Sequence, residues 1–302
     1  MKERKRKMID LHLHTNHSDG TDSVEELLKN AQKNNLEVIS ITDHDSVEAY
    51  FELEEKPELR KLYAGKIIVG TELRAVYQKT NIEILGYGVD PHQLKITTID
   101  QFQIQQEMLA YFKQVAQNLG IRYEEKIQVK KDDPRCFYAS HTFARSILKF
   151  QENIPIFEKM GLMFEETAFY RIHESNPVSP FYYDNSKYYP TLEQVVKDIH
   201  QAGGIAFLAH GYVYPFTNQK QTIQEILEKT AIDGAECEYP LFSKEQREEI
   251  KKLCRQAKKL QSGGSDYHAK NKPNIQMGTG IENNLSIPRE MIAEWENQVL
   301  SI

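Results

Sequence analysis

The chain has 302 residues, 40% hydrophobic and 27% charged, with a formal net charge of −6. That balance describes a globular protein with a large core, built as one large domain or as a domain with an insertion, and its acidity offers no global basic field for nucleic acid. Three cysteines without CxxC spacing argue against a thiolate zinc site or a disulfide framework and fit a cytoplasmic location, and no apolar run approaches the roughly 20 residues that span a bilayer.

The basic start, MKERKRK, reads as a disordered tail over residues 1–7. MIDLHLH predicts a strand. Ser23 and Glu26 form a capping box for the helix VEELLKNAQKNN, whose Val24, Leu27, Leu28 and Ala31 share one face. EVISIT, KIIVGTEL and IEILGYGV predict further strands, with a helix at VEAYFELEE. Strands separated by helices predict right-handed βαβ units and a mostly parallel sheet.

From about Pro91 to Pro190 that rhythm breaks. TTIDQFQIQQEMLAYFKQVAQNLG predicts a long helix ended by Gly120, HTFARSILKF and IPIFEKMGL predict shorter ones, and the Pro- and Tyr-rich NPVSPFYYDNSKYYP predicts a loop. Alternation then resumes: helix TLEQVVKDIHQAGG, strand IAFLAH, a helix near 221–230, strand GAECEY, helix SKEQREEIKKLCRQAKKL and the strand-like QSGGSD. The expected architecture is an α/β domain over residues 8–91 and 191–302, interrupted at 92–190 by a mainly helical insertion placed to act as a lid.

The ionisable residues fall at strand ends. His12 and His14 end the first strand, His44 the second and Glu72 the third; His210 ends IAFLAH, Glu236 lies in GAECEY, and Asp266 and His268 follow QSGGSD. In a parallel β/α barrel those ends open onto one face. A single such residue is more often a cap, and TDHD or SDG alone reads as a helix cap or a turn. When six or seven strand ends carry His, Asp or Glu, the desolvated groups need a cation. His12-x-His14 places two imidazoles on one strand face. The nitrogen and oxygen donors favour zinc, manganese or iron and leave the choice among them open.

These segments, DLHLHTNHSDGTDS, ISITDHDSVEAY, IIVGTEL, ILGYGVD, FLAH and GGSDYHAKNKP, resemble the polymerase and histidinol phosphatase (PHP) family of metal-dependent phosphoesterases. The combination is most similar to the branch that dephosphorylates nucleotides and trims short RNA. The resemblance implies a distorted (β/α)7 TIM-like barrel with two or three divalent ions. By motif, His12, His14, Glu72 and Asp266 would hold one ion and Asp19, His44 and His268 another. Glu72 would bridge to a third, shared with His210 and Glu83, where the family usually has His instead of Glu83. The family's Arg-Pro-His-like motif is replaced by YASHTFARSIL, which puts Ser140 and His141 near that place, with Arg145 or Arg135 in the arginine's role.

A metal-activated hydroxide would attack the phosphomonoester of a nucleotide or small phosphorylated metabolite. Asp43 or Asp45 would orient His44 or shuttle a proton, with helix capping an equal reading, and His210 would also serve catalysis. Arg74, His141 and Arg145 are the candidate phosphate contacts. The alternatives are a 5′–3′ exoribonuclease on short oligonucleotides, a histidinol-phosphate phosphatase, and a metal-binding module whose Glu83 has cost it turnover. No membrane partner is expected.

Overall fold

The computed structural model describes residues 8–174 and 176–302. The tail expected at 1–7 lies outside the described residues, as does the Arg135 side chain. The chain forms two compact units, one of residues 8–97 with Tyr189–Ile302 and one of Thr98–Tyr188.

In the first unit, the described residues contain seven strands in sequential order around one sheet. They are β1 (Met8–Leu13), β2 (Leu36–Ile41), β3 (Lys66–Tyr77), β4 (Thr80–Tyr87), β5 (Ile205–Leu208), β6 (Gly234–Glu238) and β7 (Leu260–Gly263). The first three pair in parallel, as do the last three. A parallel bridge from Leu13 to Tyr267 joins the two edges, with the His14 N–H donating to the Tyr267 carbonyl at 2.9 Å. The fold is a distorted (β/α)7-type barrel.

One expectation needs correction. β4 is not the product of a βαβ crossover: it runs antiparallel to both β3 and β5. The reason is local. Only Gln78 and Lys79 separate β3 from β4, with φ of 48° and 66°, the backbone of a two-residue hairpin turn. A parallel return needs a crossover of a dozen residues or more.

Helices cover the outside as their patterns dictate. The Ser23 hydroxyl accepts from the Glu26 N–H at 3.2 Å and the Glu26 carboxylate accepts from the Ser23 N–H at 2.9 Å, completing the capping box. The helix Val24–Lys33 then buries Val24, Leu27, Leu28 and Ala31. Ile9 and Leu11 of β1 pack in one cluster with Tyr87, Phe207 and Trp295, while Asp10 and His12 between and beyond them are buried polar groups. Gly70 is required where it stands, since a Cβ there would sit 2.2 Å from the Ser40 hydroxyl.

The second unit is built on the helix Gln101–Leu119. Asp100 caps its start by accepting from the Gln103 N–H at 3.0 Å, and Gly120 ends it in the left-handed region with φ 70°. Its core is aromatic: Phe112 meets Phe169 edge-on at 5.4 Å, and Phe143 and Phe181 close around them. The Tyr-rich segment packs as well, with Tyr183 and Tyr188 donating phenol hydrogens to Glu107. No helix among the described residues is long and apolar enough to cross a membrane.

Tyr50 shows how the helix Glu48–Glu55 is tied to the sheet. Its buried hydroxyl donates to the Ile41 carbonyl at 2.7 Å and accepts from the Gly70 N–H at 2.8 Å, joining β2 and β3. Tyr50→Phe strands both backbone groups and is expected to cost about 1–3 kcal/mol. The urea midpoint should fall with an unchanged slope; an unaltered midpoint would show that the sheet holds without this link.

Candidate metal centre

The ends of the strands bring the predicted donors together. Glu72, expected to end its strand, lies instead in the middle of β3, which continues to the turn at Gln78 and Lys79; it is the hub and is fully buried. One of its oxygens lies 3.0 Å from His12 Nε2, 3.2 Å from His14 Nε2 and 3.3 Å from His44 Nδ1. Its other oxygen is 3.0 Å from His210 Nε2. Asp266 Oδ1 approaches His12, His14 and His268 at 3.7, 3.4 and 3.3 Å. Asp19 reaches His268 Nε2 at 2.9 Å and His44 Nε2 at 3.7 Å. Because β4 is antiparallel, Glu83 sits opposite Arg74 and meets His44 at 3.5 Å and His210 at 3.4 Å. All nine residues expected to bind metal therefore border one space.

Among the described residues, four overlapping donor groups could each hold an ion: His14–Asp19–His44–His268, His12–His14–Asp266, His12–Glu72–His210 and His44–Glu72–Glu83. Three strand-end residues of this rim, Asp45, His210 and Asp266, have positive φ, at 44°, 27° and 57°. Non-glycine residues held there carry backbone strain of the kind that clusters at functional sites.

The remaining candidates have other partners. Both oxygens of Asp43 are engaged: Thr15 donates from its N–H at 2.7 Å and its hydroxyl at 2.6 Å, and the Ser18 hydroxyl donates at 2.6 Å. Asp43 thus pins the loop leading to Asp19. Asp45 accepts from the Arg74 N–H at 3.0 Å and pairs with its guanidinium at 3.3 Å. In the second unit, His141 and Arg145 share Glu166, at 3.3 and 3.0 Å. Of the other histidines, His17 pairs with Glu52, His92 with Glu54 and His200 with Asp233, while His173 Nε2 meets the Met163 carbonyl.

Glu236 emerges with a role that its strand-end position alone did not assign. One of its oxygens meets His12 Nδ1 at 3.0 Å and the other accepts from the His210 N–H at 2.8 Å. It orients the His12 imidazole and fixes the backbone of His210 at once. Asp10 works one layer below, accepting from the Ser265 N–H and hydroxyl at 2.8 and 2.6 Å and from the Gly278 N–H at 2.7 Å, which anchors the segment leading to Asp266. Tyr239 and Lys272 donate to Asp266 Oδ2 at 2.8 and 2.6 Å, leaving Oδ1 for the ring.

A model of the PHP domain matches residues 10–291. The chain belongs to the PHP domain family. It is 24% identical over 264 residues to a 5′-3′ exoribonuclease of Haemophilus influenzae, covering 87% of this chain and 90% of that protein. It is 23% identical over 266 residues to a phosphoribosyl 1,2-cyclic phosphate 1,2-diphosphodiesterase of Eggerthella lenta, covering 86% and 94%. Its fold is similar, with a TM-score of 0.58 and 22% identity over 97% of both chains, to a candidate metal-dependent phosphoesterase from Bifidobacterium adolescentis.

The donor set of this PHP domain fits divalent ions. His14 Nε2, His44 Nδ1 and His268 Nε2 are buried with no aligned hydrogen bond and lie 3.2, 3.3 and 2.9 Å from the carboxylates of Glu72, Glu72 and Asp19, an arrangement suited to nitrogens that share an ion with those oxygens. On His268, Nδ1 is engaged by the Asp266 carbonyl at 2.9 Å, which leaves Nε2 facing the ring.

Electrostatics point the same way. Burial opposes charge on Glu72 and Asp266, yet the surrounding imidazoles hold both well below the usual carboxylate range. Burial also opposes a proton on His12 and His14, but the carboxylates win: His12 is held well above the imidazole range and His14 is raised to about 9. Where the carboxylates do not prevail, burial drives His44 down to about 3. Burial, reinforced by the Glu72 charge, lifts Glu83 to about 7. In the absence of a metal cation, the ring holds protons where positive charge is needed.

A divalent ion needs neutral imidazoles, so its binding below pH 9 must expel the His14 proton. Affinity for Mn2+ or Zn2+ should therefore rise with pH between 6 and 8, roughly ten-fold per pH unit for each proton displaced. Calorimetry in buffers of different ionisation enthalpy should register at least one proton released; proton-neutral binding would contradict the charge balance described.

Proposed function

We propose that this PHP-domain phosphoesterase hydrolyses a phosphate ester carried on ribose, in a nucleotide or at the end of a short RNA, using two or three divalent ions of zinc, manganese or iron. The observation that carries the reading is the ring around Glu72, with buried imidazole nitrogens that lack any other partner. His12, His14, Glu72 and Asp266 would hold one ion, Asp19, His44 and His268 a second, and Glu72, Glu83 and His210 a third. The relatives support the ribose phosphate: one is named for cleaving RNA and another for opening a phosphoribosyl cyclic phosphate.

Bound ions of this kind make water nucleophilic near neutral pH and neutralise the phosphoryl oxygens. The chain's own residues supply the geometry. Glu236 fixes the ring orientation of His12 and the backbone of His210. Asp43 holds the loop that presents Asp19. Arg74, two residues beyond Glu72 and partly exposed, brings a guanidinium to the rim, with Asp45 setting its direction. In this reading its planar cation would meet a phosphate oxygen.

A second reading, 5′-3′ exonucleolytic trimming, rests on relatives of that name in Haemophilus influenzae and Escherichia coli, at 24% and 26% identity over more than 85% of this chain. The net charge of −6 favours a compact substrate. Turnover that grows with oligonucleotide length and falls steeply with salt would select the exonuclease.

The test is phosphate release from mononucleotides, bisphosphorylated nucleotides, phosphoribosyl cyclic phosphate and short 5′-phosphorylated RNA, with Mn2+ or Zn2+ and after chelation. Hydrolysis should vanish on chelation and return with metal. Glu236→Gln should lose about 10–100-fold in metal affinity or rate, and Glu72→Gln more than about 100-fold. Hydrolysis that survives chelation, or that Glu72→Gln leaves intact, would overturn this reading.

A further inference from the structure

The donors are not alike around the ring. One group, His14–Asp19–His44–His268, offers three imidazoles and one carboxylate; with His44 engaged there, the other end is left to Glu72, Glu83 and His210, two carboxylates and one imidazole. Nitrogen-rich sets suit zinc, whereas carboxylate-rich sets narrow its advantage and suit manganese.

We propose that the ring is a mixed-metal centre, taking a zinc-class ion at its imidazole-rich end and a harder, oxygen-preferring ion such as Mn2+ at the Glu72–Glu83 end, with Glu83 as the residue that sets this difference. The inference rests on the reading of the ring as a metal centre and adds which metal goes where.

Glu83 is built into that position. Its N–H donates to the Tyr214 hydroxyl at 2.7 Å, and its carbonyl accepts from the Ala209 N–H at 3.0 Å. Pairing opposite Arg74 in the β3–β4 hairpin places it beside the strand segment that carries Glu72. One carboxylate oxygen then faces His44 Nδ1, a buried nitrogen without a hydrogen-bond partner, at 3.5 Å, and the other faces His210 Nε2 at 3.4 Å. The end nearer His268 carries three imidazoles and the Asp19 carboxylate, so the two ends differ in the balance of nitrogen and oxygen donors.

The experiment uses the full chain, stripped of metal and equilibrated with excess Mn2+ at chelator-buffered concentrations of free Zn2+. Bound manganese is read by its electron paramagnetic resonance signal, and both metals by elemental analysis. At low free zinc the protein should retain zinc and manganese together. Glu83→His should release its manganese at about ten-fold or more lower free zinc than the parent, because an added imidazole restores zinc's advantage. Glu83→Gln, close in size and uncharged, should hold zinc but lose manganese; its thermal melt checks the fold, and it carries the test if the histidine variant does not fold.

Coincident displacement curves for parent and Glu83→His, or for parent and Glu83→Gln where only that variant folds, would overturn the proposal, as would a parent that takes zinc alone at every free-zinc level. Failure to retain either metal would instead overturn the underlying reading of a metal centre.

Discussion

The central constraint is a buried carboxylate that cannot be left without positive charge. Glu72 is fully buried, and the nitrogens around it belong to His12, His14, His44 and His210, from three separate segments of the first unit. Removing such a charge from water costs several kcal/mol even after relaxation, so cationic partners must offset it. Protonated imidazoles can serve in a metal-free chain, which is why His12 and His14 hold protons so tightly. Divalent ions serve better, since they satisfy the carboxylates and the orphaned ring nitrogens together. The barrel supplies what neither group could arrange locally, a common point for strand ends.

That arrangement depends on parts that never face the ring. Asp10 ties the start of β1 to the segment after β7 by accepting from Ser265 and Gly278. Asp43 does the same for the loop after β1, through Thr15 and Ser18. These buried, multiply hydrogen-bonded carboxylates hold segments that would otherwise be free to move, and loops of that kind must be held closely for ligands to share an ion. At positive φ, Asp45 and His210 are tied instead by their N–H groups, to the Glu72 carbonyl and to Glu236, each at 2.8 Å.

Much of this was legible in the order of residues. Period-two alternation placed His12 and His14 on one face, the apolar runs before His44 and His210 placed each at a strand end, and Ser23–Glu26 announced its helix, whereas Glu72 does not end its strand, because β3 runs on to Tyr77. The hairpin was not legible. Gln78 and Lys79 are not the Asn-Gly or Asp-Gly pair that marks a two-residue turn, so β4 read as one more parallel strand. Glu236 was visible as an acid in a strand, but nothing local says that its two oxygens reach His12 and the His210 backbone, residues 224 and 26 positions away. Asp43 and Asp45 flank His44 symmetrically in the sequence, and only the loop path sends one to Thr15 and the other to Arg74.

The reversal of β4 also explains how Glu83 joins the centre at all. In a parallel strand, a residue three positions from the start would lie at the end of the barrel away from the C-terminal rim. Running antiparallel, β4 begins at the rim, so its early residues are the ones that face the ends of β3 and β5. Its position three residues after Thr80 therefore brings Glu83 level with Arg74 and within reach of His210. The hairpin that broke the βαβ rhythm is thus what gives the ring its second carboxylate beside Glu72, and with it the chemical asymmetry between its two ends.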